Sequence, residues 1–117
     1  MRTMNIHTMS LQRPSFDRVA SGSKTVECRL YDEKRRAVKV GDRIVFKCLS
    51  SGEPGESVTM RVTEIARYPD FESMVAEIPP GSFGHASASD VLKEMGQFYS
   101  LDDQRRNGVV GMRIERV

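Results

Sequence analysis

Lys24, Glu27 and Arg29 stand in the string Gly22-Ser23-Lys24-Thr25-Val26-Glu27-Cys28-Arg29-Leu30, and each carries a group that can do chemistry. A lysine that is desolvated or crowded by other cations loses its proton more readily and can act as base or nucleophile; a neighbouring carboxylate opposes this. Three readings of Lys24 therefore stand side by side: catalysis, anion binding, or an ion pair with Glu27. Glu27 can accept hydrogen bonds from a base amino group. Arg29 can hold a phosphate or carbonyl oxygen. On a strand these two share one face, about 6.6 Å apart, and a simple ion pair between them is the plainer alternative. Lys24 has the opposite parity, so it meets Glu27 only if the chain is irregular at Lys24-Thr25.

Asp32, Lys34 and Arg35 follow in a charged turn, and they extend the candidate ligand-binding set. Tyr99 can stack on a base or donate a hydrogen bond. Its alternative is a half-buried anchor for the last helix. His7, on the first predicted strand, is a further cleft candidate, although such a histidine is often simply satisfied near the core. Phe83, in the Gly-rich stretch 78–87, is placed to gate a cleft. That stretch has no phosphate-loop ending. Cys28 and Cys48 are too few for a disulfide framework and read as buried small hydrophobes in a reducing cytoplasm. With only His7 and His85 as histidines, no metal site is expected, and no cofactor motif is present.

The charge is uneven. Net charge is +2, but between Lys24 and Lys47 eight basic residues face four acidic ones, leaving the rest of the chain net negative. Such a local field attracts phosphate whatever the overall balance. A solvated charged turn explains the same run without a ligand.

These groups need a scaffold. Residues 4–9 read as a first strand. Pro14 suits the first turn of a helix carrying Phe16, Val19 and Ala20, closed at Ser21-Gly22. Val26, Cys28 and Leu30 alternate with Thr25, Glu27, Arg29 and Tyr31, which predicts a strand with one core face and one polar face. Further strands are expected at Arg43–Leu49 and from Val58 toward Tyr68, joined by the loop 50–57. Asp70 caps a helix over 71–77, Ser89-Asp90 opens another that ends at Gly96, and a short polar helix covers 101–106. Residues 108–117 alternate as a last strand. The order β-α-β-β-β-α-α-α-β disfavours a doubly wound parallel sheet and suggests a closed or nearly closed mixed barrel.

The lysine-to-leucine block above, then Asp32-Glu33-Lys34-Arg35, Val40-Gly41-Asp42 and Ile44-Val45-Phe46, resembles the ASCH domain. His7-x-Met9-x-Leu11, the Pro14/Phe16 helix, Tyr99-Ser100 and Gly108-Val109-Val110-Gly111 extend the likeness over nearly the whole chain, in the manner of a small single-domain bacterial-type ASCH protein. The resemblance implies an α+β, PUA-like mixed β-barrel of five to six strands with short flanking helices. It also implies a role with RNA, and a cleft lined by the lysine–glutamate–arginine block. One branch of that family deacetylates N4-acetylcytidine, with a threonine nucleophile three positions after its lysine and a later glutamate; another member is a ribonuclease. Here the threonine's place is held by Glu27, and Glu94 is a candidate for the later glutamate. A Lys24–Glu27 pair can still activate water directly.

The expectation is therefore one domain over residues 1–117, cytoplasmic, with no membrane segment, no cofactor and an oligomeric state left open. Its partner is RNA or a modified nucleoside held by Lys24, Glu27, Arg29, Asp32, Lys34, Arg35, Tyr99 and His7. An amidohydrolase or ribonuclease using Lys24 and Glu27 is the alternative.

Overall fold

The computed structural model describes residues 3–52 and 55–117. Strand β1 (Ile6–Leu11) leads into helix α1 (Arg13–Ser21), which has Pro14 in its first turn and ends on Gly22. Gly22 adopts φ 85°, the left-handed conformation that glycine tolerates without a Cβ clash. Strand β2 (Val26–Leu30) follows, then the single-turn helix α2 (Glu33–Arg36), capped by the Asp32 side chain. Strands β3 (Arg43–Cys48) and β4 (Ser57–Tyr68) form a hairpin, and β4 runs to Tyr68 with a register shift between Val62 and Glu64. Helices α3 (Phe71–Glu77), α4 (Ala88–Gly96) and α5 (Leu101–Asn107) precede strand β5 (Val109–Arg116).

The helix ends follow side-chain chemistry. Asp70 accepts from the Ser73 amide at 2.8 Å and so fixes the start of α3. Ser87 caps α4 by accepting from Asp90, so that helix starts before the expected Ser89-Asp90. Ser100 and Asp103 form a reciprocal capping box on α5. The stretch expected as a loop before α4 contains a 3-10 turn, Pro80–Phe83. Phe83 is not a gate: only 2% exposed, it packs in the core against α3 and α4.

The five strands make one mixed sheet in the order β1-β3-β4-β5-β2, a curled half-barrel. β1 pairs in parallel with β3, and every other pairing is antiparallel. One core fills the curl, with Met9, Phe16, Val19, Ile44, Phe46 and Met112. A second lies beneath α3, α4 and the 3-10 turn, with Val26, Cys28, Phe71, Met74, Phe83 and Val91. Both cysteines are free and buried. Among the described residues no helix is long and apolar enough to cross a membrane.

The expected polar face of β2 is not a solvent face. Glu27 pairs in register with Met112 and Arg29 with Val110, residues that point into the first core. Paired residues share a side of the sheet, so Glu27 and Arg29 face the inside of the curl. Strands β1 and β2 are its two edges, and the polar residues occupy the seam between them. Arg29 Nη2 crosses that seam to the Ser10 carbonyl at 2.9 Å.

Candidate functional site in the seam of the half-barrel

After Gly22 the chain does not enter the sheet at once. The Lys24 amide donates to the Arg18 carbonyl at 3.0 Å, and the Thr25 amide to the Ser82 carbonyl at 2.8 Å. Ladder pairing begins at Val26. This irregularity removes the parity conflict. Lys24 Nζ donates to Glu27 Oε1 at 3.2 Å and to Ser15 Oγ, on α1, at 2.9 Å.

Lys24 and Glu27 are 1% and 2% exposed, which makes them the least ordinary residues of the interior. Glu27 Oε1 also accepts from the Cys28 amide at 3.1 Å and lies 3.6 Å from Arg29 Nε. Its other oxygen, Oε2, is buried without a hydrogen-bond partner among the described residues. A desolvated, unmatched carboxylate oxygen is costly.

Together these groups line one side of a cavity of about 320 Å³ across the seam. The apolar wall comes from Leu11, Pro14, Leu49, Met95, Phe98 and the ring of Tyr99. Leu49 and Phe98 are more than half exposed, apolar surface at its rim. The Tyr99 ring stacks on Phe71 with centroids 5.7 Å apart, and burial pushes its hydroxyl pKa up. Burial also pushes the Cys28 thiol up to about 12, so Cys28 is a wall residue and not a nucleophile.

Glu94, on α4, brings a second carboxylate to the cavity. Arg18 Nη2 bonds it at 2.7 Å, and His85 Nε2 lies 3.2 Å away. Burial raises its pKa, but His85, Arg18 and Lys24 outweigh that and hold it below the usual carboxylate value.

Of the residues singled out in the sequence, Lys24, Glu27, Arg29 and Tyr99 meet at this cavity; His7, Asp32, Lys34 and Arg35 do not line it. His7 faces another job, with Nε2 bonded to the buried Asp42 carboxylate at 2.8 Å. Asp32 caps α2 and pairs with Arg35 Nη1 at 3.1 Å. Lys34 is exposed, and Arg35 is close enough to act electrostatically on Tyr99. Ser15, Leu49, Met95 and Phe98 are cavity residues the sequence did not single out. The adjacent aromatics Phe98-Tyr99 were a usable signal. Nothing local marked Ser15.

The fold is shared with solved structures. The crystal structure of the hypothetical protein PH0355 superposes with a TM-score of 0.82 at 32% identity, covering 96% of this chain and 99% of that one. The solution structure of protein PF0455 from Pyrococcus furiosus gives 0.74 at 31% identity, with 96% and 97% covered. The ASCH protein of Zymomonas mobilis gives 0.58 at 15% identity, over 95% of this chain and 67% of that one, and speaks for the fold alone. No curated protein matches the sequence. The ASCH domain model matches residues 9–117. The chain thus belongs to the ASCH domain family, a PUA-like fold associated with RNA binding.

Proposed function

We propose that this protein binds one nucleobase, from single-stranded RNA or as a free modified nucleoside, in the seam cavity. The observation that carries this reading is the buried, unpartnered Glu27 Oε2 beside two cationic donors. A base edge supplies what is missing: an amino or imino N–H for Glu27, and a ring carbonyl for Lys24 or Arg29. Tyr99 and Phe98 offer a face for stacking. The volume suits a small ligand, at the lower end of the usual ~300–1,000 Å³. In this reading Lys34 and Arg35, outside the cavity, take the phosphates of a longer strand, and the Asp32 ion pair with Arg35 supports that role.

Calorimetric titration of nucleosides and short RNAs tests this. Glu27→Gln loses nucleoside affinity about tenfold or more, because the carboxylate acceptor is replaced by an amide that must pair both its donor and acceptor ends. Lys34→Ala/Arg35→Ala leaves nucleoside binding intact but lowers RNA affinity and its salt slope. Unchanged affinities in both variants overturn the assignment.

A second reading is hydrolytic, favoured by the direct Lys24–Glu27 contact. The pair would activate water against a nucleoside amide or an RNA phosphodiester. Incubation with N4-acetylcytidine and with RNA, wild type against Lys24→Ala, tests it; equal rates remove Lys24 from any such reaction.

A further inference from the structure

We propose that Arg67 and Arg36, gathered on the Tyr31 ring, form a second ligand site, one that takes the dianionic phosphate of a phosphomonoester. Its cleft shares no residue with the seam cavity, and the proposal depends on neither reading of that cavity.

The residues come from three parts of the chain. Tyr31 directly follows β2, packs against the first core and is partly buried. Arg67, near the end of β4, places its guanidinium carbon 4.1 Å from the Tyr31 ring centroid. Arg36, the last residue of α2, places its own 5.2 Å from the same centroid. Stacking on an aromatic face occupies the plane of a guanidinium and leaves the N–H groups at its edge available. Arg36 Nε donates to the Tyr31 carbonyl at 3.0 Å, which fixes that side chain and leaves its terminal nitrogens for another acceptor. Among the described residues the Arg67 guanidinium has no hydrogen bond, and neither arginine has an ion pair. Arg13, Arg18, Arg35, Arg61 and Arg113, by contrast, each have a carboxylate.

The surroundings favour an anion. Tyr31 and Arg67 line a cleft of about 320 Å³ together with Asn107 and Gly108. Two carbonyls that would repel an anion are already engaged. The Gly108 carbonyl accepts from the Tyr31 amide at 2.9 Å, and the Asn107 side chain donates to the Asp103 carbonyl at 2.9 Å. Lys39 Nζ donates to the Arg36 carbonyl at 3.4 Å and adds a third cation beside the pair. Tyr68, also in the wall, packs in the second core's cluster, and its hydroxyl engages Glu77.

Charge selects the ligand class. Two guanidiniums supply two positive charges that do not titrate. A phosphate monoester carries about −1.5 to −2 at neutral pH and three terminal oxygens. That is enough for a two-point contact with Arg67 and a further bond from Arg36. A phosphodiester or a carboxylate brings a single charge and leaves the other guanidinium unmatched. A free nucleotide and the phosphorylated end of a strand present the same group.

The test is NMR of the full chain, following backbone amides and arginine Nε–H groups during titration with inorganic phosphate and, separately, dimethyl phosphate. Inorganic phosphate gives saturable shifts at Arg67, Tyr31 and Gly108, and dimethyl phosphate binds about tenfold more weakly. Arg67→Gln, a change at an exposed position, removes these shifts, and Tyr31→Leu weakens them. Unchanged amide spectra away from the cleft verify that both variants fold. Adenosine 5′-monophosphate and a 5′-phosphorylated oligonucleotide, each against its unphosphorylated counterpart, identify the source by which of them gains affinity from the phosphate; a gain in neither overturns the proposal. So do phosphate shifts that miss Arg67 and Tyr31, an equal response to dimethyl phosphate, or binding of an acidic peptide without binding of phosphate. Adenosine itself carries no phosphate and reports on the seam cavity alone, so the two sites fail separately.

Discussion

Replacing Lys24 with methionine puts the buried pair to a quantitative test. Methionine approximates the lysine stem and removes the ammonium, with its bonds to Glu27 and Ser15. Glu27 keeps the Cys28 amide at 3.1 Å and Arg29 at 3.6 Å, but loses the ammonium, and both partners are almost fully buried. Removing one member of such a pair costs about 3–5 kcal/mol; the remaining contacts place the expectation near 3. Against a typical domain stability of about 5–15 kcal/mol this is a large fraction. In a chain this size it corresponds to a fall in Tm of roughly 10 °C. The double variant Lys24→Met/Glu27→Gln leaves no buried charge in the pair, so it recovers at least about 1 kcal/mol relative to the sum of the single losses. Urea unfolding followed by far-UV circular dichroism at neutral pH measures all four corners of the cycle. A Lys24→Met loss below about 1 kcal/mol, the range of exposed pairs, or strict additivity, would refute the claim that these charges depend on each other in a desolvated seam.

Glu94 supplies a pH prediction. Its folded pKa lies below the ordinary value, so its pairing with Arg18 and His85 stabilises fully above the unfolded pKa of about 4.3 and is lost as pH falls through the folded value. The stability gap between wild type and Glu94→Gln is therefore widest at neutral pH and closes in acid; a gap that grows on acidification contradicts the geometry. In a Cys48→Ala background, native Cys28 alkylates at least about 100-fold more slowly than in urea at mildly alkaline pH, because its thiol is buried and its pKa is pushed up to about 12; rapid native labelling overturns that placement. Gly22→Ala costs about 1 kcal/mol by thermal unfolding through the positive φ alone, since no atom of the described residues lies within 4 Å of the added Cβ. A neutral effect means the α1–β2 turn relaxes.

Local chemistry was legible in the sequence wherever neighbours along the chain decide it. Asp70 with the 71–77 helix, Gly22 as a helix stop, and the Val26/Cys28 alternation follow from rules that span four residues or fewer. What was hidden depends on elements distant in sequence. Glu27 and Arg29 alternate like a solvent face, yet they face the inside of a curl completed by β1 and covered by α1 and α4. Phe83 sits in a glycine-rich loop that places it as a cleft gate by sequence, but α3 and α4 give it a core to fill. His7 has a cleft residue's chemistry, and only the β1–β3 pairing reveals that Asp42 takes its ring nitrogen. The strand order, with β1 and β2 at opposite edges despite their adjacency in the chain, is likewise invisible to periodicity; the element order and the family resemblance pointed to a curled sheet without giving that order. Ser15 joins the site through the same closure.

The most direct measurement is an amide chemical-shift map by NMR during titration with single nucleosides. Saturable shifts centred on Ser15, Lys24, Glu27, Arg29 and Tyr99 are the predicted result, because these residues surround one cavity. Shifts confined to Lys34, Arg35 and their exposed neighbours, with the seam residues unmoved at saturating nucleoside, would contradict the claim that the seam is where this protein holds its ligand.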